Sequence, residues 1–216
     1  MGDDLHRLLD NNRQWVKARL DADAEYFTRN AKSQTPEFLF IGCSDSRVPA
    51  NEITGTEPGE MFVHRNIANQ VWPNDLNVLS VLQYAVEVLD VRHVIVCGHY
   101  ECGGVKAAAQ SEAHFGLVDN WLGEIRTTER MHRQELDALP TSDARLNRLG
   151  ELNVIYQVHN LTLTPVIRQA WERGRRPALH GLIYSLQNGL LKELVHSIDS
   201  SEEADALQRT LYGPEG

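Results

Sequence analysis

Two short runs, Phe38-Leu39-Phe40-Ile41 and His93-Val94-Ile95-Val96-Cys97, do most to limit what this chain can become. Both are rich in strand formers and neither alternates apolar with polar residues, so each reads as a strand buried on both faces. Helix-length segments separate such runs, which implies parallel strands joined by right-handed crossovers. The expected class is therefore α/β, with a mostly parallel central sheet of four to five strands flanked by helices.

The remaining elements fit that frame. Met61 to Val63 reads as a further short strand, as do Ala178 to Leu186 and Leu190 to Ile198. Leu5, Leu8, Leu9, Trp15, Val16 and Leu20 fall near helical spacing, and a second helix over Ala24 to Lys32 completes an N-terminal helical arm, residues 1–34. Pro73-Asn74-Asp75 opens an amphipathic helix marked by Leu76, Leu79, Val81, Leu82, Ala85, Val86 and Leu89, and Val105 to Ala109 opens another. Asn120 to Arg173 is mostly helical, broken at Pro140 and Pro165, and Glu202 to Tyr212 forms the last helix. Residues 35–216 make the core, and residues 1–216 read as one domain.

At 216 residues with 42% hydrophobic, the chain can bury a substantial core. Twenty-one Lys and Arg stand against 30 Asp and Glu, a formal charge of -9 with no basic block, which argues against nucleic acid or an anionic membrane as partner. The N-terminus lacks the basic and apolar regions of an export signal, His6 stands where a myristoylation signal after Gly2 wants Ser or Thr, and no segment has the roughly 20 apolar residues of a membrane span. Three cysteines, Cys43, Cys97 and Cys102, suit reduced thiols. The expected location is the cytoplasm.

Chemistry concentrates in two places, Cys-x-Asp-x-Arg at Cys43 to Arg47 and His-x-x-Cys at His99 to Cys102. Each lies just past the end of an expected parallel strand, where open α/β sheets place ligand sites. If those strands are neighbours, Cys43, His99 and Cys102 offer two thiolates and an imidazole, a set that suits zinc better than magnesium or calcium, and Asp45 could complete a tetrahedron. Arg47 has no lone pair for a metal and needs another role. Cys97 reads as an apolar filler, and His6, His64, His93, His114, His132, His159, His180 and His196 have no ligand-like neighbour in sequence.

At these residues the sequence resembles the β-class carbonic anhydrases, particularly the bacterial branch. The likeness rests on CSDSRVPA from Cys43, EPGEMFVHRNIAN from Glu57 and HYECGGVKAA from His99, and it extends through ELNVIYQVHNL from Glu151 and HGLIYSLQNGLL from His180. It implies one zinc ion per subunit on Cys43, His99 and Cys102, and reversible hydration of carbon dioxide to bicarbonate and a proton by zinc-bound hydroxide. Asp45 and Arg47 would form a dyad in which Asp45 either closes the fourth zinc position or, paired with Arg47, leaves it open. Gln34, Phe62, Tyr84 and Gly103 would line the substrate pocket, with the Gln and Tyr reaching across the interface of a homodimer or homotetramer. Gly42, Arg65 and Tyr184 match a second, regulatory bicarbonate pocket.

Two residues depart from the family pattern. Phe40 replaces the Trp usual in the regulatory pocket, which removes an N–H donor, and Glu101 stands between two zinc ligands where relatives carry a small residue. Rival readings are a carbon disulfide or carbonyl sulfide hydrolase on the same scaffold, and a non-catalytic zinc or bicarbonate sensor locked in the closed form.

Overall fold

A computed structural model describes residues 3–110, 116–175 and 177–213. Gly2 and His114 lie outside the described residues. The chain divides into two compact units, residues 1–35 and 36–216.

The first unit is the helical arm. Helix α1 runs over Asp3–Ala22 and α2 over Tyr26–Asn30, shorter at both ends than the expected Ala24 to Lys32. Trp15, Tyr26 and Phe27 pack edge to face, with centroids 5.4 Å apart for Trp15 and Phe27 and 5.0 Å for Tyr26 and Phe27, and the Arg19 guanidinium lies over Trp15 and Tyr26. This aromatic knot joins the two helices. Leu5, Leu8, Leu9 and Leu20 stay exposed.

The second unit is built on a five-stranded sheet in the order β2-β1-β3-β4-β5, where β1 is Phe38–Cys43, β2 Met61–Asn66, β3 His93–His99, β4 Ala178–Tyr184 and β5 Leu191–Ile198. The first four are parallel and β5 runs antiparallel at the edge. Strand β2 continues three residues beyond its apolar run. His64, Arg65 and Asn66 stay in the ladder because strand pairing uses backbone groups, whatever the side chain, and this brings Arg65 opposite Gly42 and Asn66 opposite Cys43.

Between the strands lie α3 (Ala50–Thr54), α4 (Leu76–Gln83) and α5 (Gly103–Ala109). Asp75 caps α4 by accepting from the Asn77 backbone N–H, and a π-helical turn at Tyr84–Val88 carries that helix on toward β3. The long helical region resolves into α6 (Leu117–Trp121), α7 (Gly123–Met131), α8 (Arg133–Asp137), α9 (Ser142–Leu163) and α10 (Pro165–Glu172), before α11 (Ser201–Tyr212) closes the chain. Pro165 sits in the first turn of α10, where its missing N–H has no partner to lose, and Thr164 caps that helix.

Alternate residues of the strands face opposite layers. Leu39, Ile41, Val94 and Val96 join the main core with α4, α9, α10 and α11, while Phe40, Ile95 and Cys97 face a smaller cluster with Ala50 of α3. Close contact between α9 and the sheet depends on glycine: a Cβ on Gly98 would lie 2.6 Å from Val154 Cγ2. Gly98→Ala is expected to destabilise the protein by about 1–3 kcal/mol. Adding Val154→Ala should recover part of that loss rather than add to it, as read from urea unfolding of the single and double variants.

Candidate metal centre

Strands β1 and β3 are hydrogen-bonded neighbours in register, with Gly42 opposite Cys97, so their carboxyl ends deliver Cys43 and His99 side by side. The chain then reverses through Glu101, whose φ of 59° is left-handed, and returns as Cys102 at the N-cap of α5. Cys43 Sγ and Cys102 Sγ stand 3.9 Å apart, and the donor atoms of Cys43, His99 and Cys102 all lie within 4.8 Å of one another. Two thiolates on one tetrahedral zinc, with bonds of about 2.3 Å, stand roughly 3.8 Å apart, so the pair is already spaced for the ion.

The histidine supports the same fit. His99 Nδ1 lies 2.9 Å from the Tyr100 carbonyl, which can only accept, so Nδ1 carries the proton and Nε2 is left with its lone pair. That Nε2 is buried and has no hydrogen-bond partner in the protein. An orphaned imidazole nitrogen facing two thiols is a site built for a soft cation. The thiols act as a pair: Cys43 is drawn down to about 4, chiefly because Cys102 S–H donates to its thiolate, while Cys102 is pushed far up, first by that same bond and then by burial. Cys97, buried in the sheet, is pushed up to about 12 by desolvation and is no ligand.

Asp45 stands outside the three-residue group, with its Oδ2 3.7 Å from His99 Nε2. Arg47 holds it from two directions: Nε donates to Oδ1 at 2.9 Å, Nη2 to Oδ2 at 2.8 Å, and the Arg47 backbone N–H also donates to Oδ1 at 3.0 Å. The Arg47 guanidinium keeps the Asp45 carboxyl well below the usual carboxylate range. Such a carboxylate stays ionised and can only accept hydrogen bonds at neutral pH.

A family model described as carbonic anhydrase matches residues 38–191. A carbonic anhydrase of Emericella nidulans is 49% identical over 87% of this chain and 82% of its own length. Among solved structures, a tetrameric beta-carbonic anhydrase of Sordaria macrospora is similar at TM-score 0.86 and 39% identity, covering 91% of this chain and 99% of that one. The Coccomyxa beta-carbonic anhydrase in complex with acetazolamide gives 0.90 and 37%, covering 99% and 98%. The chain belongs to the β-class carbonic anhydrases. Its relatives include fungal proteins, so membership is shown for the class as a whole rather than for its bacterial branch.

The other residues expected to serve a β-class carbonic anhydrase are placed less closely. Phe62 and Tyr84 pack on each other with centroids 5.9 Å apart, and Tyr84 is 46% exposed. Gly103 opens α5, with free space where a Cβ would project. Gln34 is exposed in the N-terminal unit. A cavity of about 490 Å³ adjoins the candidate metal centre and is lined by His99, Cys102, Tyr100, Lys106, Asn147 and Gln187, among others, without Phe62 or Tyr84. Glu101 at its edge accepts from Gln187 Nε2 at 3.0 Å.

Around Gly42, Arg65 and Tyr184, the Phe40 ring lies over Gly42, where a Cβ would meet Phe40 Cε1 at 2.3 Å. Arg65 donates through Nε to the Cys43 carbonyl at 2.8 Å and through Nη2 to the Asp45 carbonyl, while Tyr184 lies opposite His99 in the sheet. One pairing escaped the sequence reading: His93 Nδ1 and His180 Nε2 meet at 3.0 Å across β3 and β4. Another is a file of amides on α9, Asn153 and Gln157 buried and Asn160 partly so, visible in sequence only as a polar stripe at helical spacing.

Replacing Cys43 or Cys102 by Ser is expected to lower the zinc that the purified chain retains to a small fraction of the parent's, because a neutral hydroxyl is a poor substitute for a thiolate. Atomic emission on the folded variants measures the metal, with circular dichroism confirming the fold.

Proposed function

We propose that the chain catalyses the reversible hydration of carbon dioxide to bicarbonate and a proton at the Cys43, His99 and Cys102 centre, with Asp45 and Arg47 as its latch. The carrying observation is the unpartnered His99 Nε2 beside two thiols at zinc spacing, with a carboxylate next to it that Arg47 restrains. Cys43, His99 and Cys102 would hold the ion. Zinc bound there supplies Lewis acidity that makes hydroxide available near neutral pH.

The protein does the rest by orientation. Ionised Asp45 accepts a hydrogen bond from the attacking hydroxide and aims its lone pair at the carbon of the substrate. Phe62 and Tyr84 supply an apolar wall for carbon dioxide, and Gln34 of a partner subunit faces it. The new C–O bond gives bicarbonate, and a water then loses its proton to buffer to restore the starting state. With Arg47 engaged, Asp45 is held apart from Cys43, His99 and Cys102, and with Arg47 withdrawn it would be free to join them in holding the ion. Since the Asp45 pKa is depressed, the stabilisation from this pair is present above the ordinary carboxylate pKa of about 3.9 and is lost only as pH falls through a lower value.

A homodimer or homotetramer fits this reading, since Gln34 and Tyr84 are both exposed in the single chain and the similar Sordaria protein is tetrameric. Residues 1–216 then work as one domain, the arm of residues 1–34 reaching the partner. Three free, buried thiols suit a reducing compartment such as the cytoplasm. No helix among the described residues is long and apolar enough to cross a membrane.

Stopped-flow hydration of carbon dioxide at alkaline pH tests the proposal, and a rate near the uncatalysed one would overturn it in favour of a sensor. Arg47→Ala is expected to keep its zinc while losing about 10²-fold or more in hydration rate, because the freed Asp45 closes the site. Zinc loss in that variant would mean that the latch reading is wrong. Bicarbonate regulation through Gly42, Arg65 and Tyr184 is tested separately, since bicarbonate there must displace the Phe40 ring and the two Arg65 hydrogen bonds. A sigmoidal dependence of rate on bicarbonate at low pH supports that pocket, and a hyperbolic one removes it.

A further inference from the structure

The turn after β2, Ile67–Asn69, is held far more firmly than a loop needs. Ala68 and Asn69 both take left-handed backbone angles, with φ of 61° and 50°, a conformation that is unfavourable by about 1–2 kcal/mol for a residue such as Ala. Buried amides clamp it. Gln70 Nε2 donates to the Ala68 carbonyl at 2.7 Å and to Asn153 Oδ1 at 2.8 Å, and Asn153 Nδ2 donates to the same Ala68 carbonyl at 3.1 Å. Gln157 Nε2 donates to Asn153 Oδ1 at 3.2 Å, while Gln157 Oε1 accepts from the Val71 backbone N–H at 2.7 Å. Asn66 closes the turn from the other side through two bonds to the Gln70 backbone, and Trp121 Nε1 donates to the Ile67 carbonyl.

Gln70, Asn153 and Gln157 are all within 1% of complete burial. Three buried amides are a costly way to hold a turn where apolar side chains would pack as well, so the geometry they impose is the place to look for their use. Ala68 belongs to the same buried cluster as Cys43 and Cys102. It also sits hard against the head of α5: a Cβ on Gly104, two residues past Cys102, would lie 2.9 Å from Ala68 Cβ. On its other side, the turn follows directly from Asn66, which pairs with Cys43 in the β1–β2 ladder.

We propose that Gln70, Asn153 and Gln157 are positioning residues for the metal centre, locking Ala68 as a spacer between Cys43 and the helix that carries Cys102. The ladder sets the distance between the two sulfurs and so how well both can meet one ion. None of the three touches substrate or metal. This inference rests on the metal centre proposed above, and its test separates the two.

Cobalt(II) in place of zinc gives a thiolate-to-metal charge-transfer band that reports on the sulfurs directly. A parent protein without that band overturns the metal centre and this inference with it. With the band present, Asn153→Leu is expected to shift it, since a displaced Ala68 changes the spacing of the two sulfurs, and to weaken zinc and cobalt binding by about 10–100-fold. Gly104→Ala, which presses on Ala68 from the opposite side and leaves every amide intact, should shift the band as well and serves if Asn153→Leu fails to fold. Val158→Ala is the control: it opens a cavity on the same helix against the apolar core, lowering stability without moving the band. An unmoved band with metal affinity within about twofold of the parent in both test variants, or an equal shift in Val158→Ala, overturns the ladder while leaving the metal centre standing.

Discussion

Two thiols and an imidazole are kept within reach of one point by the parallel pairing of β1 with β3, and every functional feature of the molecule depends on that ladder. A register slip of one residue would turn Cys43 to the opposite face of the sheet and leave His99 alone. Burial on both sides, from Leu39, Ile41, Val94 and Val96 on one face and Phe40, Ile95 and Cys97 on the other, is what makes such a slip expensive. The third donor comes from outside the ladder. Cys102 reaches the same point because the chain doubles back through the left-handed Glu101 and starts a helix there.

Around this point the protein spends polar groups where a core normally has none. Arg65 ties the Cys43 and Asp45 carbonyls, Arg47 ties the Asp45 carboxylate, and the Tyr100 carbonyl fixes the tautomer of His99. Each bond removes one way in which a donor atom could turn aside. The outcome is a set of donor groups fixed in place, with the His99 Nε2 left unpartnered among the described residues.

Much of this was legible in the sequence. The strands at Phe38 and His93 announced themselves because burial on both faces demands unbroken apolar runs, and the ligands stood out because Cys-x-Asp-x-Arg and His-x-x-Cys place reactive groups where such runs end. Strand β2 was seen only in part, since His64, Arg65 and Asn66 are held by backbone pairing that leaves no apolar pattern. The amide ladder left only a faint trace. Asn153, Gln157 and Asn160 form a polar stripe on one helical face, and a stripe of that kind on an isolated helix reads as a solvated surface.

The sequence by itself determined the class of fold, the soft donor set and the need for a partner for Arg47, because these follow from residue type and local spacing. Only the tertiary structure decided that Asp45 is taken by Arg47 rather than standing with Cys43, His99 and Cys102, that Phe40 covers Gly42, and that three buried amides hold the turn at Ala68. Those outcomes turn on distances between residues far apart in the chain. Local spacing carries no record of such distances, which are set by how helices and strands come to rest against one another.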